Sequence, residues 1–154
     1  MSDYGLKKVS GYIADTQRCY QGNYYAIFPQ LSLSGDLGSG ISNQMVLLLN
    51  SPGMEKTDTD NDNLTVTPFM QTSDSGYAVT ENDQTQGQYI LGAVSTNAIS
   101  ADSSDSDSED EDDESDATDT DTKTARLTVL ASASMISSDI TDQLTTLDNL
   151  TLFV

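Results

Sequence analysis

Three aspartates alternate with other polar residues in the segment "DTDNDN". Asp58, Asp60 and Asp62 match positions 1, 3 and 5 of an EF-hand calcium loop, where side-chain oxygens bind a hard cation. The match ends there, because position 6 is Asn63 where glycine is usual and position 12 is Phe69 where a bidentate glutamate is required. The segment therefore predicts either a weak calcium site or a polar turn between strands, and nothing in the sequence indicates another cofactor.

A second candidate site is aromatic. Tyr24 and Tyr25 begin the extended segment "NYYAIFPQ", and an exposed tyrosine ring can stack on a sugar while its hydroxyl forms a hydrogen bond. Alternation along a strand places Tyr24 with Ala26 on one face and Tyr25 with Ile27 on the other. One tyrosine is therefore expected to face the core and the other the solvent, in either a glycan-stacking surface or ordinary sheet packing.

The residue types on which most catalysis depends are scarce. The sequence has no histidine, so the commonest general base and zinc ligand is absent. Cys19 is the only cysteine, which excludes an intrachain disulfide and leaves the thiol without a histidine to activate it. Carboxylates are abundant, but no pair lies in the apolar setting that a glycosidase acid requires. We predict that the protein is not an enzyme.

Charge is concentrated in one segment. The 154 residues carry 25 acidic and 6 basic side chains, a net charge of −19, and 12 of the acids lie between Asp102 and Asp121. Nucleic acid is excluded as a partner, because six scattered bases cannot form the cationic patch that phosphates require. Residues 101–123 contain no Leu, Ile, Val, Met or aromatic side chain, which predicts a disordered insert with, at most, weak divalent-cation binding.

Short runs rich in β-branched and aromatic residues indicate strands on both sides of the insert. Residues 1–100 are predicted to be the strand-rich part of one domain, and residues 124–154 its final strand and helix. The apolar run from Met45 to Leu49 is typical of a strand covered on both faces. The segments read as strands are "SGYIADT", "NYYAIFPQ", "NQMVLLLN", "NLTVTPFMQTS", "GYAVT", "QYILGAVST" and "ARLTVLASAS".

The last predicted strand leads directly into a predicted helix. Ser138 is placed as its N-cap, and Ile140, Leu144 and Leu147 recur on one helical face. A strand followed tightly by a helix is a unit of an open α/β sheet, whereas the rest of the chain lacks helices. The fold class is therefore α/β or α+β, a strand-rich mixed sheet with few helices. The Tyr-Gly turn at the start and the apolar end suggest that this chain belongs to a longer protein.

The order of these segments resembles that of one family. "DYGLKKVSGYIADTQRCYQGNYYAIFPQLS" contains a Tyr-Gly turn, a strand followed by an acidic residue (Asp15), and a Tyr-Tyr segment that ends in proline. "NQMVLLLNSPG", "TVTPFMQTS" with its Thr-Ser pair, "YILGAVS", a hydrophilic stretch and "ARLTVLASASMISSD" follow. Apart from the acidic tract, this series resembles the extracytoplasmic region of GldG-type auxiliary proteins of ABC transporters, first associated with gliding motility. Where the family usually has a Gly-Asp pair after the last strand, this chain has Ala131-Ser132.

The resemblance implies a part of a glutamine-amidotransferase-like, flavodoxin-like domain without the catalytic Cys-His pair. It also implies that the parent protein continues into a membrane helix and presents this soluble part at the extracytoplasmic face of the cell membrane. There it would act as a non-catalytic accessory that contacts an ABC permease and its ATPase or binds cargo. The alternatives are a carbohydrate-binding module that uses Tyr24 or Tyr25, and a calcium-dependent structural module.

Overall fold

The computed structural model describes residues 2–33, 45–99 and 123–153. Strands predominate and helices are few, as the sequence predicts. The acidic segment 101–122 lies outside the described residues, and Lys123 already begins a strand. The strands are β1 (Leu6–Lys8), β2 (Tyr12–Asp15), β3 (Cys19–Tyr20), β4 (Asn23–Ile27), β5 (Gln30–Leu31), β6 (Leu48–Leu49), β7 (Met54–Lys56), β8 (Leu64–Gln71), β9 (Gly76–Val79), β10 (Gln84–Gln86), β11 (Ile90–Ile99) and β12 (Lys123–Leu130).

The largest sheet has the order β1-β7-β11-β8-β5, and β12 also pairs with β11. β11 is the central strand, because it pairs antiparallel with β8 from Ile90 to Asn97 and with β12 from Gly92 to Ile99. Its last residue, Ile99, lies opposite Lys123. The strands that flank the acidic segment in the sequence are therefore neighbours in one sheet.

Two three-stranded sheets pack beside the large one, in the orders β10-β9-β2 and β3-β4-β6. In the first, Tyr12 pairs with Val79, and in the second, Ala26 pairs with Leu49. β2 packs against β4, so that Ile13 of one sheet and Ile27 of the other belong to a single buried cluster. All strand pairings in the described ranges are antiparallel.

The middle of the apolar run before the Ser-Pro-Gly turn is covered on both faces, as its sequence predicts, whereas Met45 at its start is 45% exposed. Val46, Leu47 and Leu48 are all buried. Val46 and Leu48 pack in the main cluster with Ile13, whereas Leu47 faces a separate cluster with Ala26. Ladder hydrogen bonds define a strand only at Leu48–Leu49, because the preceding residues are bonded by side chains from the C-terminal segment.

That C-terminal partner is Asn149, a buried residue at the start of the last helix. Its side-chain oxygen accepts a hydrogen bond from the Leu47 N–H at 2.9 Å, and its amide group donates to the Leu47 carbonyl at 2.9 Å. The same amide donates to the Met135 carbonyl at 2.7 Å. Asp148 bonds Met45 in the same way, because its side chain accepts from the Met45 N–H at 3.3 Å and its N–H donates to the Met45 carbonyl at 2.8 Å. Two consecutive residues thus replace a neighbouring strand and satisfy backbone groups that would otherwise be unpaired.

The predicted C-terminal helix is shorter than expected. A 3₁₀ turn (Ala133–Ile136) precedes α1 (Ser138–Thr141), and α2 (Asn149–Phe153) follows after a gap. The N-cap of α1 is Ser137 and not Ser138, and the Ser137 side chain forms no cap hydrogen bond. α1 ends after one turn because aspartate and β-branched threonine, which are weak helix formers, follow it. No helix in the described ranges is long and apolar enough to cross a membrane.

The predicted apolar face nevertheless exists. Ile140 is buried with Ala26 and Leu47, and Leu144 and Leu147 pack against the same cluster. The spacing therefore predicted correctly which residues share a face, although Leu144 and Leu147 lie in irregular turns and only Ile140 lies in a helix. This layer covers the side of β4 and of residues 46–48 that points away from the main cluster.

Candidate functional site

Asp15, the last residue of β2, is completely buried. One carboxylate oxygen accepts hydrogen bonds from the backbone N–H groups of Gln17 and Arg18, each at 2.9 Å, and from the Ser73 hydroxyl at 2.8 Å. The other oxygen accepts from the Ser73 backbone N–H at 2.7 Å. The carboxylate therefore joins the turn after β2 to the segment after β8.

The protonation state of Asp15 follows from these bonds. Burial alone would raise the pKa of its carboxyl, but hydrogen bonds from Ser73, Arg18 and Gln17 stabilise the charged form and outweigh burial, so that the pKa lies below the usual 3.8. Three of the four donors bond to one oxygen and the fourth to the other. Because the side chain is also completely buried, Asp15 stabilises the fold and is not accessible to a substrate.

Thr72, next to Ser73, extends this buried polar cluster to Tyr89, the residue before β11. Its hydroxyl accepts a hydrogen bond from the Tyr89 N–H at 2.9 Å, and its own N–H donates to the Tyr89 carbonyl at 3.0 Å. The Tyr89 hydroxyl donates to the Thr85 carbonyl at 2.8 Å, and burial raises the pKa of Tyr89. Sequence reasoning noted Asp15 and the Thr-Ser pair separately but did not connect them.

Tyr25 and Tyr12 line an open groove of about 470 Å³. The groove lies where the start of β2 meets β4 and the hairpin between β9 and β10. Tyr12 is not one of the two tyrosines that the sequence indicates for this site, Tyr24 and Tyr25. The described lining residues are Gly11, Tyr12, Tyr25, Asn50, Val79, Thr80 and Glu81.

Backbone hydrogen bonds fix the two walls of this tyrosine groove. The Asn50 N–H donates to the Tyr25 carbonyl at 3.0 Å, and the Ile13 N–H donates to the Ser51 carbonyl at 2.8 Å. The dipeptide Asn50–Ser51 therefore bridges β4 and β2 between the two tyrosines. Asn50 has a φ of 47°, a left-handed conformation that asparagine adopts more readily than most residues.

The remaining wall is the tip of the β9–β10 hairpin. The Thr80 N–H donates to the Asp83 carbonyl at 2.9 Å, which leaves Glu81 and the following residue as the loop. Opposite this turn, Gly11 has a φ of 85°, and a Cβ there would overlap the Val79 carbonyl oxygen. Glycine is thus required where β2 begins beside the hairpin.

Tyr24 is not brought into the groove. Ala26 and Ile27 belong to different buried clusters, so the predicted alternation of faces is correct. The expectation that one tyrosine is buried is wrong, because Tyr24 is 51% exposed and Tyr25 is 37% exposed. The first three residues of β4 extend beyond the packed layers, and only the last two enter the core.

The three candidate calcium ligands do not converge on one point. Asp58 and Asp60 line a shallow depression of about 530 Å³ with Asp3, whereas Asp62 is not part of its lining. In the part of the chain that the structure describes, no group of three or more acidic, cysteine or histidine side chains is arranged to hold a metal ion. The segment forms the turn between β7 and β8, where the side chain of Asn61 accepts a hydrogen bond from the N–H of Asn63 at 3.0 Å.

No protein-family model, curated protein or solved structure matches the chain. The function must therefore be inferred from the residues of the chain itself. Two candidate sites differ clearly in accessibility. The Asp15 carboxylate is completely buried and bonded within the protein, whereas the rings and the Glu81 carboxylate of the tyrosine groove are exposed.

Proposed function

We propose that the chain is a non-catalytic binding domain of a membrane-anchored auxiliary protein of an ABC-type export system, displayed on the extracytoplasmic face of the membrane. The observation that carries this proposal is the hydrogen bonding of Asp15 to Ser73 across 58 residues of sequence. The acidic residue after the short strand and the Thr-Ser pair are two features of the GldG-type pattern. Their contact gives a structural reason for both to occur in one sequence.

A relation to the glutamine-amidotransferase-like, flavodoxin-like fold is part of this proposal. Its support is the C-terminal unit, in which β12 is followed directly by a 3₁₀ turn and α1. Flavodoxin-like sheets are built largely of parallel strands, whereas the described pairings are antiparallel. The finer fold assignment therefore rests on this unit and on the sequence resemblance.

The proposal of a non-catalytic role is supported by the acids that the structure describes. Asp15 is completely buried and accepts four hydrogen bonds within the protein. Glu81 is the one carboxylate among the described lining residues of the groove, whereas glycoside hydrolysis requires two at a defined separation.

Copurification of the longer parent protein from solubilised membranes tests the auxiliary role. We expect an ABC permease and its ATPase to be recovered in stoichiometric amounts, as identified by mass spectrometry. Recovery of the parent protein without either subunit would contradict the proposal. A parent carrying Tyr12→Ala and Tyr25→Ala is expected to retain both subunits and to lose any cargo that the groove binds.

The tyrosine groove favours a second candidate function, carbohydrate binding. Aromatic rings on an exposed β surface can stack on the apolar face of a sugar ring, and Asn50, Thr80 and Glu81 surround them with hydrogen-bonding groups. NMR titration with a panel of oligosaccharides should shift the signals of Tyr12 and Tyr25. Tyr24 is a matched internal control, because its ring is also exposed but lies outside the groove. Unchanged spectra across the panel would exclude this function.

A further inference from the structure

We infer that the tyrosine groove binds a cationic saccharide, one that carries a free protonated amino group, in preference to neutral or N-acetylated sugars. This inference rests on the proposal that the groove binds carbohydrate. It specifies the ligand class from the charges and aromatic faces of the lining.

Glu81 provides the negative charge. It lies at the exposed tip of the β9–β10 hairpin, and no described residue donates a hydrogen bond to its carboxylate or forms an ion pair with it. The neighbouring turn is closed by Thr80 and Asp83, which leaves Glu81 out of its hydrogen bonds. The carboxylate is thus available to a ligand, and an ammonium group is the partner that would form a charge-assisted hydrogen bond with it.

The two tyrosines favour the same charge. The face of an aromatic ring carries partial negative charge and attracts a cation within about 6 Å of its centroid. Tyr12 is 56% exposed and Tyr25 is 37% exposed, and both line the space beside Glu81. Stacking on a neutral sugar would use the rings but would leave the carboxylate without a partner of opposite charge.

No basic side chain competes for this position in the described lining of the groove. Arg18, the base closest in sequence to Tyr25, is committed elsewhere, since its guanidinium donates to the carbonyls of Phe28 at 2.7 Å and Pro29 at 3.4 Å. The chain as a whole has a net charge of −19. A field of this sign attracts cations and repels acidic sugars, most strongly at low ionic strength.

The neutral part of a sugar is also accommodated. Asn50 carries an exposed amide whose side chain forms no hydrogen bond within the described chain, and the tyrosine hydroxyls can donate or accept. These groups can form hydrogen bonds with the hydroxyls of a sugar ring. The groove should therefore bind an amino sugar more tightly than a simple amine, which has no such hydroxyls. The lining thus combines stacking surface, hydroxyl partners and one anionic group.

The test is a titration with short oligosaccharides of one length in three forms: glucosamine, N-acetylglucosamine and glucose. Calorimetry and NMR at low salt, with the amine protonated, should show the glucosamine form binding about tenfold more tightly than the other two. Added salt should weaken only that form. Glu81→Gln should remove most of the preference by lowering the affinity for the glucosamine form, and should leave the other two affinities nearly unchanged. The matched control Asp74→Asn, an exposed acid outside the groove lining, should leave the preference unchanged.

The outcomes separate the inference from the function on which it rests. Equal affinities for all three forms, unaffected by Glu81→Gln, would retain carbohydrate binding and overturn the charge preference. Binding of none of them would remove both. If the glucosamine form binds the Tyr25→Ala and Glu81→Gln variants as tightly as the unmodified chain, it binds at other acids, such as those between Asp102 and Asp121. That result would overturn the inference. Circular dichroism of each variant verifies that it is folded.

Discussion

The two ends of β2 differ sharply, although only two residues separate them. Tyr12 at its start is 56% exposed, whereas Asp15 at its end is completely buried. The buried end carries a charge that four hydrogen bonds satisfy, and the exposed end carries an aromatic ring on the open groove. A buried charge is retained only where the fold stabilises it, whereas exposed rings contribute little to stability and are available to a ligand. One short strand thus supplies both a structural anchor and a candidate binding surface.

Removing the anchor should have the largest effect. Asp15→Ala leaves the N–H groups of Gln17, Arg18 and Ser73 without an acceptor, and we expect a loss of about 3–5 kcal/mol in the free energy of unfolding. Urea denaturation followed by circular dichroism measures it. Asp74→Asn changes an exposed acid near the same segment and should be neutral. A loss below about 1 kcal/mol for Asp15→Ala would contradict the structural role.

Asn149 is the corresponding anchor at the C-terminal end. Asn149→Ala removes one acceptor and two donated hydrogen bonds from buried backbone groups of residues 47 and 135. We expect a destabilisation of about 2–3 kcal/mol, measured in the same way. The adjacent residue Leu150 is 52% exposed, so Leu150→Ala serves as the control and should cost less than about 0.5 kcal/mol.

Acid should reduce the contribution of Asp15, at the buried end of β2, to the stability of the fold. The pKa of Asp15 is lower in the folded than in the unfolded chain, because its hydrogen bonds outweigh the effect of burial. Its contribution is therefore complete above the unfolded value, near 3.8, and is lost as the pH falls through the folded value. The difference in the free energy of unfolding between the unmodified chain and the Asp15→Asn variant should become smaller as the pH falls through this range. A difference that does not change with pH would contradict the assignment.

The groove should show the reverse pattern, with small effects on stability and large effects on binding. Tyr25→Ala is expected to lower the free energy of unfolding by about 1 kcal/mol, less than the loss for Asp15→Ala or Asn149→Ala, because the side chain is 37% exposed. The same change should abolish the oligosaccharide-induced NMR shifts at Tyr12. Tyr24→Ala should leave both stability and binding unchanged. Equal loss of binding in both variants would mean that the sugar contacts more than the groove.

Calcium should have the smallest effect. Because Asp62 does not join Asp58 and Asp60 in one depression, we expect millimolar calcium to shift Tm by less than about 1 °C in a variant whose acids between Asp102 and Asp121 are replaced by serine. Differential scanning calorimetry measures the shift. A rise of several degrees that Asp58→Asn removes would instead support the calcium-dependent structural module.

The sequence predicted local structure better than contacts between distant segments. Local pattern was enough to predict the strands that became β8, β11 and β12 and the burial of residues 46–48, although Met45, at the start of the same apolar run, is 45% exposed. It was not enough to pair Asp15 with Ser73, because a hydrogen bond across 58 residues depends on the register of strands that the pattern leaves free. For Tyr24 and Tyr25 the predicted faces were correct and the predicted burial of one ring was wrong. Alternation sets the face of a residue but not how far the strand extends beyond the core. The C-terminal helix ended early because packing of Leu144 and Leu147 does not require regular helix.

The pairing of Ile99 with Lys123 has a consequence for how this protein can change over evolutionary time. Both residues flank the acidic segment, and the sheet itself holds them opposite each other. Substitutions, insertions and deletions between them alter the charge of the molecule while the ladder of β11 and β12 stays in register. Selection can therefore act on that segment and on the fold separately. Residues 100–122 are expected to diverge quickly among relatives, while the strands on either side of them diverge slowly.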